Sequence, residues 1–209
     1  MTPTEQFRQY LDVCPLVAII RGVTPKEAET TGRSIFDAGI RIIEVPLNSP
    51  DPLISIRRLA ESLGDRALIG TGTVLDPSQV AEVQAAGARL VVSPNTDPAV
   101  IRATVAAGLV SSPGYFTPSE AFTAIGAGAH ALKFFPAEAA TPAVIRAQKA
   151  VLPKEVPLVV VGGIKPDTMH AWREAGADGF GLGSGLYVPG QSPTVTAEKA
   201  QAYLAGLSH

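Results

Sequence analysis

Five times along the chain a segment with helical apolar spacing closes on an Ala-Gly pair, and a run of aliphatic residues follows at once. The pairs are Ala38-Gly39, Ala86-Gly87, Ala107-Gly108, Ala127-Gly128 and Ala175-Gly176. Glycine just past a helix takes the left-handed cap conformation, so each pair reads as a helix end followed by a strand. Successive pairs lie 48, 21, 20 and 48 residues apart. A βα unit of about 20 to 25 residues fits once into each short gap and twice into each long one. Leu63-Gly64 and Leu152-Pro153 supply the stops that the long gaps require. Helix starts repeat too: Thr24-Pro25-Lys26-Glu27 and Thr117-Pro118-Ser119-Glu120 are capping boxes with proline at the first helical position. Asp76-Pro77, Asp97-Pro98 and Thr141-Pro142 offer a similar cap.

Between these signals the pattern predicts eight strands: 16–20, 40–45, 67–71, 90–93, 109–111, 129–134, 158–161 and 179–182. Short apolar strands alternating with helices indicate a parallel sheet with both faces covered. Their number and spacing fit one (β/α)8 TIM barrel spanning 1–209 better than an open sheet. Residues 1–13 read as an extra N-terminal helix across the barrel floor, and 194–207 as a closing helix. No linker or low-complexity stretch interrupts the pattern.

Composition narrows the possibilities. The chain is 46% hydrophobic and 17% charged, which excludes a disordered polymer. A net charge of −2, with basic residues scattered, provides no footprint for nucleic acid or an acidic membrane surface. The N-terminus lacks a signal-peptide pattern and no run is long enough to span a bilayer, so a cytoplasmic location is expected. One cysteine, Cys14, allows no intrachain disulfide. His130, His170 and His209 are too dispersed to suggest a metal site.

The exception to the apolar rule is Ala129-His130-Ala131-Leu132-Lys133-Phe134-Phe135-Pro136, a strand with a lysine set into it. A buried lysine is costly unless paired, neutral or reacting, and desolvation lowers its pKa towards that of a nucleophile for carbonyl carbon. Side chains alternate along a strand, so Ile42 shares a face with Glu44 and Ala131 with Lys133. If both faces are interior, Glu44 and Lys133 meet at the C-terminal mouth, where such barrels place their chemistry. Arg21, Thr71, Thr73 and Ser93-Pro94-Asn95 end neighbouring strands. Gly162-Gly163 and Gly183-Ser184-Gly185 follow strands seven and eight, where backbone N–H groups bind phosphate in barrels of this kind. A reactive lysine, an acid/base and a phosphate cradle are together what a class I aldolase for a phosphorylated keto acid or sugar requires. A phosphosugar isomerase or epimerase using Glu44 as base, and a barrel that only binds phosphosugars, are the other readings. Trp172, Cys14 and Asp178 read as structural, and the spacing of Tyr115 and Phe116 does not decide whether they line the mouth.

Ile20-Arg21-Gly22, Glu44-Val45-Pro46-Leu47-Asn48-Ser49, Gly70-Thr71-Gly72-Thr73, Ser93-Pro94-Asn95, Ser112-Pro113-Gly114, Lys133-Phe134-Phe135-Pro136 and Val161-Gly162-Gly163 occur in the order seen in one family. The chain thereby resembles the 2-keto-3-deoxy-6-phosphogluconate/galactonate aldolases over nearly its whole length. The resemblance implies Schiff-base cleavage of a phosphorylated 2-keto-3-deoxy sugar acid to pyruvate and glyceraldehyde 3-phosphate, without metal or cofactor, by a homotrimer. It assigns Lys133 to the iminium and Glu44 to proton transfer. Arg21 and Thr73 would contact substrate, with the keto-acid carboxylate near Thr73 and Pro94. Gly162, Gly163, Gly183 and Ser184 would hold phosphate. Gluconate-type members carry Thr-Leu-Arg-Thr where this chain has Pro46-Leu47-Asn48-Ser49, and threonine where it has Val161. Both departures resemble the phosphogalactonate branch, with the phosphogluconate-preferring enzyme as the alternative.

Overall fold

The structure, a computed structural model, describes residues 1–207; His209 lies outside the described residues. The elements run α1 (Pro3–Val13), β1 (Leu16–Ile19), α2 (Pro25–Ala38), β2 (Ile42–Pro46), α3 (Pro52–Leu63), β3 (Leu68–Gly72), α4 (Gln79–Ala85), β4 (Leu90–Val92), α5 (Pro98–Ala106), β5 (Val110–Ser112), β6 (Gly114–Tyr115), α6 (Pro118–Gly126), β7 (Leu132–Phe134), α7 (Pro142–Lys149), β8 (Leu158–Val161), α8 (Met169–Glu174), β9 (Gly179–Leu182) and α9 (Pro193–Gly206).

Among the described residues the nine strands are parallel to their neighbours, in the order β5-β4-β3-β2-β1-β9-β8-β7-β6. The two edges, β5 and β6, are one stretch of chain broken at Pro113. Proline has no N–H to give the ladder, so the fifth strand is divided there and switches neighbours. Val110–Ser112 pair with β4, whereas Gly114 and Tyr115 pair with Lys133 and Phe134 of β7. The Pro113 carbonyl still accepts from the Lys133 N–H at 2.9 Å, and the sheet is an α/β TIM-type barrel. Pro113-Gly114, expected beyond strand five, therefore lies within it.

Helix ends follow local chemistry. Thr24 and Thr117 open α2 and α6 with capping boxes, and Thr2 and Glu5 make a third at α1. Each such cap contributes about 1 kcal/mol. The five glycines of the Ala-Gly pairs all take positive φ, from 72° to 127°. Asp76 accepts from the Ser78 N–H at 2.8 Å just as Asp97 accepts from the Ala99 N–H, yet α5 starts at Pro98 directly after its aspartate and α4 only at Gln79.

Two apolar layers result. Val17, Ile19, Ile42, Leu68, Leu90, Val92, Val110, Ala131, Val159 and Val161 fill the barrel interior, and Phe7 and Leu11 of α1 plug its floor. Burying each plug side chain is worth about 1.5–3 kcal/mol. Leu11 fits because Gly179 faces it; a Cβ there would stand 2.8 Å from Leu11 Cδ1. Alternate strand residues, such as Ile43, Val45 and Phe134, face outward into the helix layer. Trp172 and Cys14 are buried there, and Asp178 joins strands and helix by accepting from the Leu158 N–H at 2.7 Å and pairing with Lys149. Among the described residues no helix is long and apolar enough to cross a membrane.

Candidate active site

The ladder brings Ile19 level with Glu44, Glu44 level with Gly70, and Gly114 level with Lys133. Glu44 and Lys133 consequently face the interior from β2 and β7. They line one small cavity with Ile19, Val92, Ser112 and Val161. Glu44 is 1% exposed and Lys133 7%. Gly72 makes room for the carboxylate, since a Cβ there would stand 2.2 Å from Glu44 Oε2.

Both groups are electrostatically displaced. Burial pushes the Glu44 carboxyl up to about 7, against the positive charges of Lys133 and Arg21, which favour the carboxylate. Burial holds the Lys133 ammonium below its ordinary value; Glu44 opposes this and Arg21 reinforces it. Glu44 Oε2 has no hydrogen-bond partner, and no ion pair within 4 Å forms at either residue among the described residues. Lys133 Nζ lies 4.8 Å from the centroid of the Phe135 ring. A carboxyl poised near neutrality beside a desolvated amine is a proton donor and acceptor facing a nucleophile. This is not the saturated ion pair of a purely structural contact.

Above this cavity, at the C-terminal ends of the strands, a pocket of about 540 Å³ opens to solvent. Its lining includes Lys133 with Arg21, Thr73 and Pro94 on one side, and Val161, Gly162, Gly163, Gly183 and Ser184 on the other. That volume suits a small polar metabolite. Asn48, at the position where gluconate-type members carry arginine, stands behind the pocket lining; its Oδ1 accepts from Arg21 Nη1. It therefore sets where the guanidinium points. Arg21 Nη1 also donates to Thr73 Oγ1 at 3.4 Å.

Thr73 holds a φ of 60°. A β-branched residue rarely adopts the left-handed region, and such strain costs about 1–3 kcal/mol and concentrates at functional sites. Gly162 and Gly163, at φ 114° and 65°, occupy the same half of conformational space without that cost. Among the described residues, the N–H groups of Gly163, Ile164, Gly183 and Ser184 make no backbone hydrogen bond. Four donors free at the mouth form a cradle for an anion.

Other strand-end residues are not part of the mouth. Thr71 points into the helix layer, its hydroxyl donating to the Val45 carbonyl at 3.1 Å. Ser93 likewise bonds the Val74 carbonyl. Tyr115 donates to Gln148 and Phe116 stacks on Phe134, so neither lines the pocket. The aromatics in the lining are Phe135 and Tyr203. Sequence reasoning missed Glu138, Lys165 and Tyr203. The Tyr203 hydroxyl donates to the Ile164 carbonyl at 2.8 Å, tying α9 to the glycine loop. No periodicity marks these three, because each depends on how a loop or a distant helix returns over the mouth.

A recess of about 640 Å³ at the opposite end of the barrel is lined by Arg8, Asp12, Lys154, Glu155, Arg173 and Asp178. Its charges of both signs lie at the N-terminal ends of the strands, away from the perturbed pair, so the site is assigned to the C-terminal mouth.

Comparison with known proteins agrees with this geometry. Residues 8–195 match the model of the KDPG and KHG aldolase family. The chain is 46% identical over 196 residues to the 2-dehydro-3-deoxy-6-phosphogalactonate aldolase of Escherichia coli K12, covering 94% of this chain and 96% of that protein. A solved structure described as native KDPGal superposes with a TM-score of 0.91 at 46% identity, covering 93% of this chain and 94% of that one. The KDPG aldolase of Legionella pneumophila, solved with pyruvate captured as a covalent carbinolamine intermediate, superposes with a TM-score of 0.81 at 26% identity, covering 97% and 98%. The barrel, the buried lysine–glutamate pair at its mouth and the sequence match converge: the chain belongs to the KDPG and KHG aldolase family.

Proposed function

We propose that the chain is a class I aldolase that cleaves 2-dehydro-3-deoxy-6-phosphogalactonate to pyruvate and D-glyceraldehyde 3-phosphate. The observation that carries this is the pairing of desolvated Lys133 with near-neutral Glu44 beneath a pocket flanked by Arg21 and by two glycine loops. Such a pocket suits a chain molecule with an anion at each end and a ketone near one of them.

Lys133, as the free amine, attacks the C2 ketone. Glu44 gives the proton that lets water leave, and the iminium forms as an electron sink. The Glu44 carboxylate then takes the C4 hydroxyl proton as the C3–C4 bond breaks, its electrons flowing into the enamine. Glyceraldehyde 3-phosphate departs, C3 of the enamine is protonated, and hydrolysis releases pyruvate. A carboxyl near pH 7 serves both directions of proton transfer better than one at its ordinary value. Arg21 and Thr73 orient the keto-acid end near Pro94, and Gly162, Gly163, Gly183 and Ser184 take the phosphate.

Preference for the galactonate epimer rests on Val161 at the mouth and on Asn48 through the Arg21 guanidinium that it holds. Epimers at C4 differ in the direction of one hydroxyl, and an apolar Val161 withholds a hydrogen bond that threonine would give. Assay of pyruvate release from both epimers tests this reading. Faster turnover of the galactonate epimer supports it, equal or reversed preference refutes the epimer assignment, and absence of pyruvate from both refutes the aldolase. A homotrimer, expected from the sequence resemblance, completes the proposal; sedimentation at several concentrations tests the oligomer.

A further inference from the structure

Three cationic side chains line the mouth: Arg21, Lys133 and Lys165. Arg21 is held against Asn48 and Thr73, and Lys133 is buried with its ammonium form disfavoured. Lys165 remains, one residue beyond Gly162-Gly163-Ile164 and on the cradle side. Its backbone is pinned: its N–H donates to Thr168 Oγ1 at 3.0 Å, and its carbonyl accepts from the Thr168 N–H at 3.0 Å. Its ammonium forms no ion pair within 4 Å among the described residues.

The cradle also carries a carboxylate. Glu138 lines the same pocket, and its Oε2 lies 3.0 and 3.1 Å from where Cβ atoms on Gly162 and Gly163 would stand. An anion seated on these glycines meets a negative side chain at close range, while the donors around it are neutral backbone groups. The cost falls on a dianion more heavily than on a neutral ligand.

We propose that Lys165 is the counter-cation that lets a phosphate monoester dianion sit beside Glu138, and that these two side chains together set the selectivity for phosphorylated over unphosphorylated aldehyde. The proposal rests on the aldolase reading above. It assigns to Lys165 a charge-assisted contact that the glycines and Ser184 do not supply.

The test is aldol addition of pyruvate to D-glyceraldehyde 3-phosphate and to unphosphorylated D-glyceraldehyde, with wild type, Lys165→Gln, Glu138→Gln and the double variant. The readout is the ratio of kcat/KM for the two aldehydes. Lys165→Gln is expected to lower that ratio about tenfold through KM for the phosphorylated aldehyde, as loss of one charge-assisted contact does. Glu138→Gln alone raises the ratio, and in the double variant it recovers most of what Lys165→Gln loses. Raising ionic strength shrinks the difference between wild type and Lys165→Gln. A Lys165→Gln ratio within about twofold of wild type, or a double variant no better than Lys165→Gln, overturns the proposal. Borohydride-trapped pyruvate on Lys133 in every variant shows an intact barrel; its absence from wild type defeats the aldolase reading itself, a separate outcome.

Discussion

Replacing Glu44 by glutamine separates what the carboxyl does for catalysis from what it costs the fold. The group sits 1% exposed with Oε2 unpartnered, and its pKa rises from its ordinary 4.5 to about 7. The folded state therefore holds the proton more tightly than the unfolded chain. The stability this lends is fully present below pH 4.5 and is lost as pH rises through 7. A displacement of about 2.5 pH units at about 1.36 kcal/mol each corresponds to roughly 3 kcal/mol. Glutamine keeps the size of the neutral acid and cannot ionise, so Glu44→Gln escapes that loss. Urea unfolding followed through the single tryptophan, the buried Trp172, reads both stabilities. Relative to the variant, wild type should lose about 3 kcal/mol between pH 4.5 and pH 8.5. Turnover of the variant should fall by roughly a hundred- to ten-thousand-fold, the range for loss of an acid/base group. A stability difference that stays constant across that pH range would refute the reasoning, because it would mean a solvated carboxyl with its ordinary pKa.

Three further substitutions probe the surroundings. Gly72→Ala places a Cβ 2.2 Å from Glu44 Oε2 and 2.7 Å from its Cδ, so it should cost about 1–3 kcal/mol in urea unfolding and displace the acid/base, with kcat falling and KM for substrate little changed. Val161→Thr adds a hydroxyl to the mouth and should shift the epimer ratio towards the gluconate substrate by about tenfold in a competition assay; an unchanged ratio removes Val161 from the specificity account. Tyr203→Phe removes the bond to the Ile164 carbonyl and should raise KM for the phosphorylated substrate with kcat nearly unchanged, whereas equal effects on an unphosphorylated aldehyde would make Tyr203 merely structural.

What the sequence made legible follows from which physical rule governs each position. Strand alternation is strict, so Glu44 and Lys133 share the interior because Ile42 and Ala131 do. Positive φ after helices is equally local, and the Ala-Gly pairs mark their helix ends correctly. Barrel closure was legible as a count of eight, but not the way Pro113 divides the fifth strand, since a lone proline also reads as a strand end. At the mouth, the glycine loops were found by their place after strands seven and eight. Asn48 stands where gluconate-type members carry arginine, and its contact with Arg21 is set by a loop conformation that no repeat encodes. Glu138, Lys165 and Tyr203 escaped for the same reason: an exposed loop residue has no buried face to betray it, and Tyr203 reaches the site from a helix near the chain's end. Thr71 shows the converse: it stands at a strand end in the sequence, yet alternation turns it away from the mouth, since its neighbours Gly70 and Gly72 face inward.

The most direct test of the central claim is to reduce the protein with borohydride in the presence of pyruvate and map the modified peptide by mass. The account predicts one reduced pyruvyl adduct, on Lys133, abolished by Lys133→Met. Folded protein with no adduct, or with the adduct on another lysine, would contradict it.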